Sequence, residues 1–339
     1  MLRRLLPLTL FLATLAGCAV DPGTEPGESE DAITNARELR MNELQVKATH
    51  NSYHKAKFFF PSKSLNYNHK PLDEQLERQG VRAFELDLHY DAKRKRFDVY
   101  HVDDDRGTTC DGLVDCLRVI KRWSDGHLGH APIVIQLETK DTFATVDGAA
   151  YYDTLEKEIR SIWPADRLVT PDLVRAGAPT LREAVTTRGW PVLRSVRGRV
   201  MFTIAGSDEH ARFYTRNGTN LDGRVLFVSA PTSVPYAAFT VIDDPEGAGD
   251  AIRAAVRDGF IVRTRADADL KEPKKNDRSR LEAALASGAQ LVSTDFPAKD
   301  PNYVYVVDIP GGTPSRCNPI LAVPGCTSTA IEDRGRASD

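Results

Sequence analysis

Val81-Arg82-Ala83-Phe84-Glu85-Leu86-Asp87-Leu88 is the stretch whose reading decides the fold. Its opening residues suit a buried strand, and two carboxylates follow at positions i and i+2. Side chains of a strand alternate between faces, so Glu85 and Asp87 aim the same way. Taken alone, the pair reads equally well as the solvated face of an ordinary strand. Three other stretches repeat the arrangement. Leu44–Thr49 runs into His50-Asn51, Phe97–Tyr100 into His101, and Ile133–Leu137 into Glu138-Thr139-Lys140.

Four polar sites, each at the downstream end of a strand and all within about ninety residues, point to an α/β barrel, where the C-terminal strand ends share one bowl. Two imidazoles, three carboxylates, the Asn51 amide oxygen and the Lys140 ammonium would meet there. Carboxylates brought together in this way repel one another and lose hydration unless a cation joins them. An all-oxygen donor set suits Ca²⁺ or Mg²⁺, and no Cys/His cluster at zinc spacing is present.

Further along, strand and helix signals keep alternating, as crossover connections of parallel strands require. Helices are expected over Asp111–Ser124, Asp147–Ile162, Ala248–Arg257 and Asp277–Ser287, and strands over Arg199–Ala205, Phe260–Arg265 and Gln290–Asp295. Val225–Ser229 and Thr240–Ile242 are two further short strand candidates, of which one suffices for a count of about eight. Tyr90–Arg96 reads as a hairpin or turn, so the second and third strands are joined without a helix. The expected fold is a distorted TIM (β/α)8 barrel in a single domain. Arg263 and Arg265 stand at i and i+2 in a late strand. One of them, taken to be Arg265, reads as a phosphate-gripping guanidinium. The other reading is an ion pair of Arg263 with Asp267 and Asp295 that closes the barrel. Asp103-Asp104-Asp105 reads either as an orienting group for His101 or as a solvated turn.

The N-terminus reads as a targeting segment: basic Met1–Arg4, apolar Leu5–Leu15, then Leu15-Ala16-Gly17-Cys18 in the form of a lipobox. Residues 1–17 are the expected leader, Cys18 the lipidated residue, 18–38 a flexible acidic tether, 39–310 the barrel and 311–339 a C-terminal tail. The expected product is an exported bacterial lipoprotein, held at the outer membrane or cell surface by its own lipid or released from it, and monomeric. Setting Cys18 aside leaves four cysteines of the five, and in an oxidising compartment the local pairs Cys110–Cys116 and Cys317–Cys326 are expected. Net charge is −3, so no basic field recruits nucleic acid. Lys55, Lys57 and Phe58-Phe59-Phe60 form a basic, aromatic loop that reads either as a lipid contact or as a buried lid.

His-Asn, Glu-x-Asp, His and Glu-x-Lys in this order resemble the Ca²⁺-dependent phosphatidylinositol-specific phospholipases C. Thr49-His50-Asn51-Ser52-Tyr53-His54 is similar to the opening of the bacterial secreted members, and Gly288–Asp295 to their last strand. The resemblance covers most of the chain, from about residue 42 to residue 308, and implies a distorted TIM barrel. Position by position, it implies Asn51, Glu85, Asp87 and Glu138 as Ca²⁺ ligands and His50 and His101 as the catalytic histidines. Lys140 would then contact phosphate or inositol. The implied reaction is internal attack of the inositol 2-hydroxyl on phosphorus. His50 would hydrogen-bond the phosphorane and His101 would protonate the diacylglycerol oxygen, giving diacylglycerol and a cyclic inositol phosphate at a membrane surface. A glycerophosphodiester phosphodiesterase is the alternative enzyme, but that family shows His-Arg-Gly where this chain has His50-Asn51-Ser52. A non-catalytic lipid-binding lipoprotein is the other alternative, and it would have no need of two histidines.

Overall fold

A computed structural model of the chain describes residues 38–57, 64–144, 146–217, 221–312, 314–321 and 323–332. The leader, Cys18, the tether up to residue 37 and Phe58–Phe60 lie outside the described residues.

The described residues form eleven strands: β1 (Leu44–Thr49), β2 (Val81–Asp91), β3 (Arg96–Val99), β4 (Ile133–Thr139), β5 (Leu168–Val169), β6 (Val200–Ala205), β7 (Leu226–Val228), β8 (Phe239–Val241), β9 (Ile261–Arg265), β10 (Leu291–Thr294) and β11 (Ser315–Cys317). Parallel pairing runs from β8 through β9, β10, β1, β2 and β4 to β6, and β7 continues it beyond β6. A parallel bridge between Ser229 and Phe239 joins β7 to β8, and the ring of eight closes there. Both short candidates therefore belong to the barrel, although one sufficed for the expected count of about eight.

The distortions have identifiable causes. One edge of β6 is shared, with β5 paired to Val200 and Met201 and β7 paired to Phe202–Ile204. One edge of β1 is shared too: β11 runs antiparallel to Leu44–Val46, and β2 pairs with Lys47 and Ala48. The segment after residue 310 is thus no loose tail but contributes a strand to the base of the sheet. A Cys317–Cys326 disulfide lies within it, and Glu332 beyond it is buried against Arg82. The third strand also departs from barrel order. β3 turns back antiparallel on β2, as the hairpin reading of Tyr90–Arg96 requires, so the strand before His101 is a hairpin arm and not a stave.

Barrel strands are covered on both faces and read as nearly continuous apolar runs, as in β4, where Ile133, Val134, Ile135 and Leu137 are all buried. The surrounding helices bury one stripe each. Leu113–Gly126 presents Leu113, Cys116, Leu117, Ile120 and Trp123 to the core, and the Cys110–Cys116 disulfide staples its first turn to the preceding loop. Gly148–Ile162 begins where the Asp147 side chain accepts from the amides of Ala149 and Ala150, and it stops at Trp163-Pro164. Gly249–Arg257 stops at Gly259, which has φ +97° and abuts the Val185 carbonyl so closely that a Cβ would lie 2.4 Å from its oxygen.

Candidate active site

The upper ends of β1, β2 and β4 supply the acids and the first histidine. After Thr49 the chain turns sharply, with Asn51 in the left-handed region at φ +44°, a conformation asparagine tolerates. Ser52 fastens this turn to the next strand. Its amide donates to the Glu85 carbonyl at 2.9 Å, and its hydroxyl accepts from the Glu85 amide at 2.8 Å. The Asn51 side-chain nitrogen donates to the Tyr67 hydroxyl at 3.2 Å. The amide is thereby held with its oxygen toward the Tyr53 hydroxyl, 3.3 Å away, which in turn meets Asp87.

Glu85, Asp87 and Glu138 each offer a carboxylate oxygen within 4.8 Å of the others. Glu85 and Asp87 are buried and Glu138 half-buried. Protein cations lie against all three. Arg263 meets Glu85, and the Lys140 ammonium lies 2.9 Å from Asp87 and also bonds Glu138. The compensation is incomplete. Neither oxygen of Asp87 has a well-formed hydrogen bond among the described residues, and burial with the nearby Glu138 lifts its carboxyl to about 7. Burial likewise raises Glu85, against the pull of Arg263, whereas Lys140 overcomes the effect of burial on Glu138 and holds it below the ordinary range. Clustered carboxylate oxygens short of positive charge, with an amide oxygen beside them, fit a hard dication that takes six or more oxygens. The residues present therefore fit Ca²⁺.

His50 faces this cluster. Its Nδ1 donates to Asp295 Oδ1 at 2.7 Å, and its Nε2 lies 3.8 Å from Glu85 Oε1. Asp295 is braced in turn. Its other oxygen accepts from Arg265 Nη2 at 3.1 Å, and its amide donates to Asp267 at 2.9 Å. Burial and Arg265 press the His50 imidazole down to about 4, although Asp295 pulls the other way. Against its own burial, Asp295 is held well below the usual carboxylate range by His50 and Arg265. The neutral ring with its proton on Nδ1 turns a lone pair toward the acids.

His101 arrives by the hairpin. In the β2–β3 register Val99 sits opposite Leu88, and His101 follows two residues beyond the end of β3, within electrostatic reach of Lys140 and Glu138. Its ring is half-buried and its Nδ1 has no partner among the described residues. Burial, Lys140 and His54 lower its pKa. Of the three aspartates after it, Asp103 pairs with Arg106 and the Tyr100 hydroxyl, while Asp105 lies 3.3 Å from Nε2 of the buried His54. The carboxylate of this turn that meets a histidine meets His54, and not His101.

The expected set is thus brought together, with two shifts of role. Arg265, read as a phosphate contact, spends its guanidinium on Asp295 and on the Asp267 carbonyl at 3.0 Å, behind His50. Arg263, read as part of a pair with Asp267 and Asp295, instead bridges Glu85 and Asp243, the latter at 2.6 Å. Asp295 is the residue that sequence reasoning misplaced. The signal was available in barrel closure: the last strand must lie beside the first, Thr49 pairs with Thr294, and the next residues are His50 and Asp295.

A parallel barrel with an oxygen-ligand metal cluster, a histidine–carboxylate pair and a second histidine defines the class of metal-assisted phosphodiesterases. The family profile described as phosphoinositide phospholipase C, Ca²⁺-dependent, matches residues 39–99 and 92–319. The chain belongs to this family, and it is a Ca²⁺-dependent phosphodiesterase that cleaves phosphatidylinositol. Solved structures agree on the fold. A calcium-dependent phosphoinositol-specific phospholipase C from Pseudomonas sp. is 18% identical, with 84% of this chain and 97% of that one covered at a TM-score of 0.59. A Ca²⁺-dependent phosphatidylinositol-specific phospholipase C from Streptomyces antibioticus is 17% identical, covering 76% and 95% at 0.57. Comparison with curated proteins finds no significant match.

Proposed function

We propose that the chain cleaves phosphatidylinositol by internal transesterification, with His50 as base and His101 as acid. The observation that carries this is the 2.7 Å bond from His50 Nδ1 to Asp295, which leaves Nε2 as the acceptor that faces the acid cluster. That arrangement revises the role read from sequence. His50 first takes the proton of the inositol 2-hydroxyl, and only as an imidazolium does it donate to the phosphorane. The 2-hydroxyl oxygen bonds to phosphorus, the bond from phosphorus to the diacylglycerol oxygen breaks, and His101 passes its proton to that oxygen. A phosphodiester anion beside His101 raises the pKa that burial and Lys140 lower, and so favours the acid form. Asn51, Glu85, Asp87 and Glu138 would hold Ca²⁺, and Lys140, which meets Asp87 and Glu138, would supply a further positive charge for the phosphate. When bound, Ca²⁺ supplies charge that offsets the phosphoryl oxygens and acidifies the 2-hydroxyl. Arg265 acts on substrate only through Asp295.

The proposal includes export and anchoring through Cys18, supported by the leader pattern and by two disulfides of the kind an oxidising compartment preserves. Among the described residues no helix is long and apolar enough to cross a membrane. Purified protein assayed on phosphatidylinositol and on glycerophosphodiesters, with Ca²⁺ and with chelator, tests the activity. Ca²⁺-dependent release of diacylglycerol from phosphatidylinositol alone is expected, and preferential glycerophosphodiester cleavage would overturn the reading. Mass spectrometry of the mature N-terminus tests the anchor, which an unmodified residue other than Cys18 would exclude.

A further inference from the structure

A cavity of about 220 Å³ opens between the turn after β1 and the loop after β10. It shares Asp295 and His69 with the surroundings of His50, but none of Glu85, Asp87, Glu138 or His101 lines it. Lys55, Lys70 and Lys299 are among the residues that line it, and none of them pairs with a carboxylate among the described residues. Two carboxylates are present. Asp295 is committed to His50 and Arg265, while Asp300 accepts from the Asn302 amide at 2.7 Å. The cavity therefore carries an excess of positive charge that nothing already described uses.

The second observation is His69. It is buried, and its Nε2 donates to the His50 carbonyl at 2.8 Å, since a carbonyl oxygen can only accept. Its Nδ1 is then a lone-pair acceptor, and it has no partner among the described residues. Burial presses the imidazole down to about 4, which keeps it neutral. A buried acceptor left without a donor is uncommon, and His69 is one of the residues that line the cationic cavity. Gln79 lines it too, and its Oε1 is likewise buried without a partner among the described residues.

We propose that this cavity binds a polyol phosphate: the lysines take phosphate oxygens, and His69 Nδ1 accepts the proton of a neighbouring hydroxyl. The ligand's chemistry is a phosphate carried beside a hydroxyl, supplied either by the glycerol phosphate headgroup of an adjacent anionic lipid or by a free polyol phosphate. None of His50, Glu85, Asp87, Glu138 or His101 lines the cavity, so binding can be read without catalysis.

The test titrates the mature, Ca²⁺-loaded protein with glycerol 3-phosphate while following the His69 ring nitrogens by NMR. The His69 Nδ1 signal should move on saturation. In Lys70→Ala/Lys299→Ala the Kd for glycerol 3-phosphate should rise by at least about tenfold, because phosphate contacts of this kind are charge-assisted. Lys70→Arg/Lys299→Arg should restore it, and kcat/KM on monomeric short-chain phosphatidylinositol should stay at the wild-type value in both. A parallel arm measures binding to phosphatidylcholine vesicles with and without phosphatidylglycerol. If the alanine variant also loses its preference for phosphatidylglycerol, the source is a neighbouring lipid. If that preference survives while soluble binding is lost, the source is a free polyol phosphate. An unmoved His69 signal, or equal Kd values for wild type and alanine variant, overturns the proposal.

Discussion

Nδ1 of His50 lies 2.7 Å from Oδ1 of Asp295, joining the ends of the first and last barrel strands across 245 residues of sequence. The contact follows from ring closure. β1 and β10 are neighbours in register, the His50 amide donates to the Thr294 carbonyl at 3.0 Å, and both side chains emerge from the same rim. Asp295 fixes which ring nitrogen of His50 carries the proton, and so fixes which one faces the substrate.

Asp295→Asn tests this directly. An amide can donate to Nδ1 and so favour the wrong tautomer, while Arg265 loses its anionic partner. We expect kcat to fall on the order of 10²–10³, with KM changed little. Steady-state kinetics on phosphatidylinositol check it, together with nitrogen NMR of His50. Wild-type kcat in the variant would remove Asp295 from the mechanism.

The acid cluster makes a second prediction. Asp87 is the carboxylate whose oxygens are least satisfied, so Asp87→Asn should raise the Ca²⁺ concentration needed for half-maximal activity, by about tenfold or more. The apo variant should be no less stable than the apo wild type, because a buried group lifted to about 7 gains little from staying charged. Ca²⁺ titration of activity and chemical denaturation without metal are the two measurements. Full activity of the wild type in chelator would exclude the metal assignment.

His101 is assigned the proton for the leaving oxygen. His101→Ala should then be nearly inactive on phosphatidylinositol, whose alkoxide leaves only with protonation. It should lose much less on an analogue with an acidic phenol leaving group. His50→Ala should suffer similarly on both, because the 2-hydroxyl must be deprotonated in either case. Equal losses for His101→Ala on the two substrates would show that it is not the acid.

At the base of the barrel, Arg82 Nε reaches Glu332 at 2.9 and 3.0 Å, and the pair is buried. Burial works against the charge of Glu332, but Arg82 outweighs it and holds the carboxyl below its usual value of 4.5. A folded-state pKa below the unfolded one gives stabilisation that is complete above the unfolded value and is lost as pH falls through the folded one. Glu332→Gln should cost about 3–5 kcal/mol at neutral pH, since it leaves a buried guanidinium unpaired. The wild-type advantage should shrink below about pH 4.5, which denaturation at stepped pH would show. A variant as stable as the wild type would make the C-terminal contact incidental.

Much of this site was legible in the sequence because its residues lie directly after strands. Strand ends fix the rim on which a side chain sits, and i, i+2 spacing fixes its face, so His50, Glu85, Asp87 and Glu138 could be grouped before any geometry was known. Partners were less legible. Arg263 and Arg265 differ by two positions and share a face, yet one meets Glu85 and the other Asp295, a choice made by their different heights along β9, beside Leu291 and Ser293 of β10 respectively. β5, β7 and β8 are only two or three residues long, too short for a period to show, so the weak side of the barrel could only be guessed. β11 pairs with a strand more than two hundred residues earlier in the chain, and nothing local marks Ser315–Cys317 as part of the sheet.

In the proposed reaction the inositol 2-hydroxyl, deprotonated at His50, is the nucleophile. Early-time phosphorus NMR of phosphatidylinositol cleavage in Ca²⁺ and heavy-oxygen water distinguishes it from water. The first phosphorus product should be the cyclic inositol phosphate with no oxygen from solvent, and solvent oxygen should enter only as the ring later opens. A first product that is already the open monoester and carries one solvent oxygen would show that water attacks phosphorus and that His50 does not activate the 2-hydroxyl.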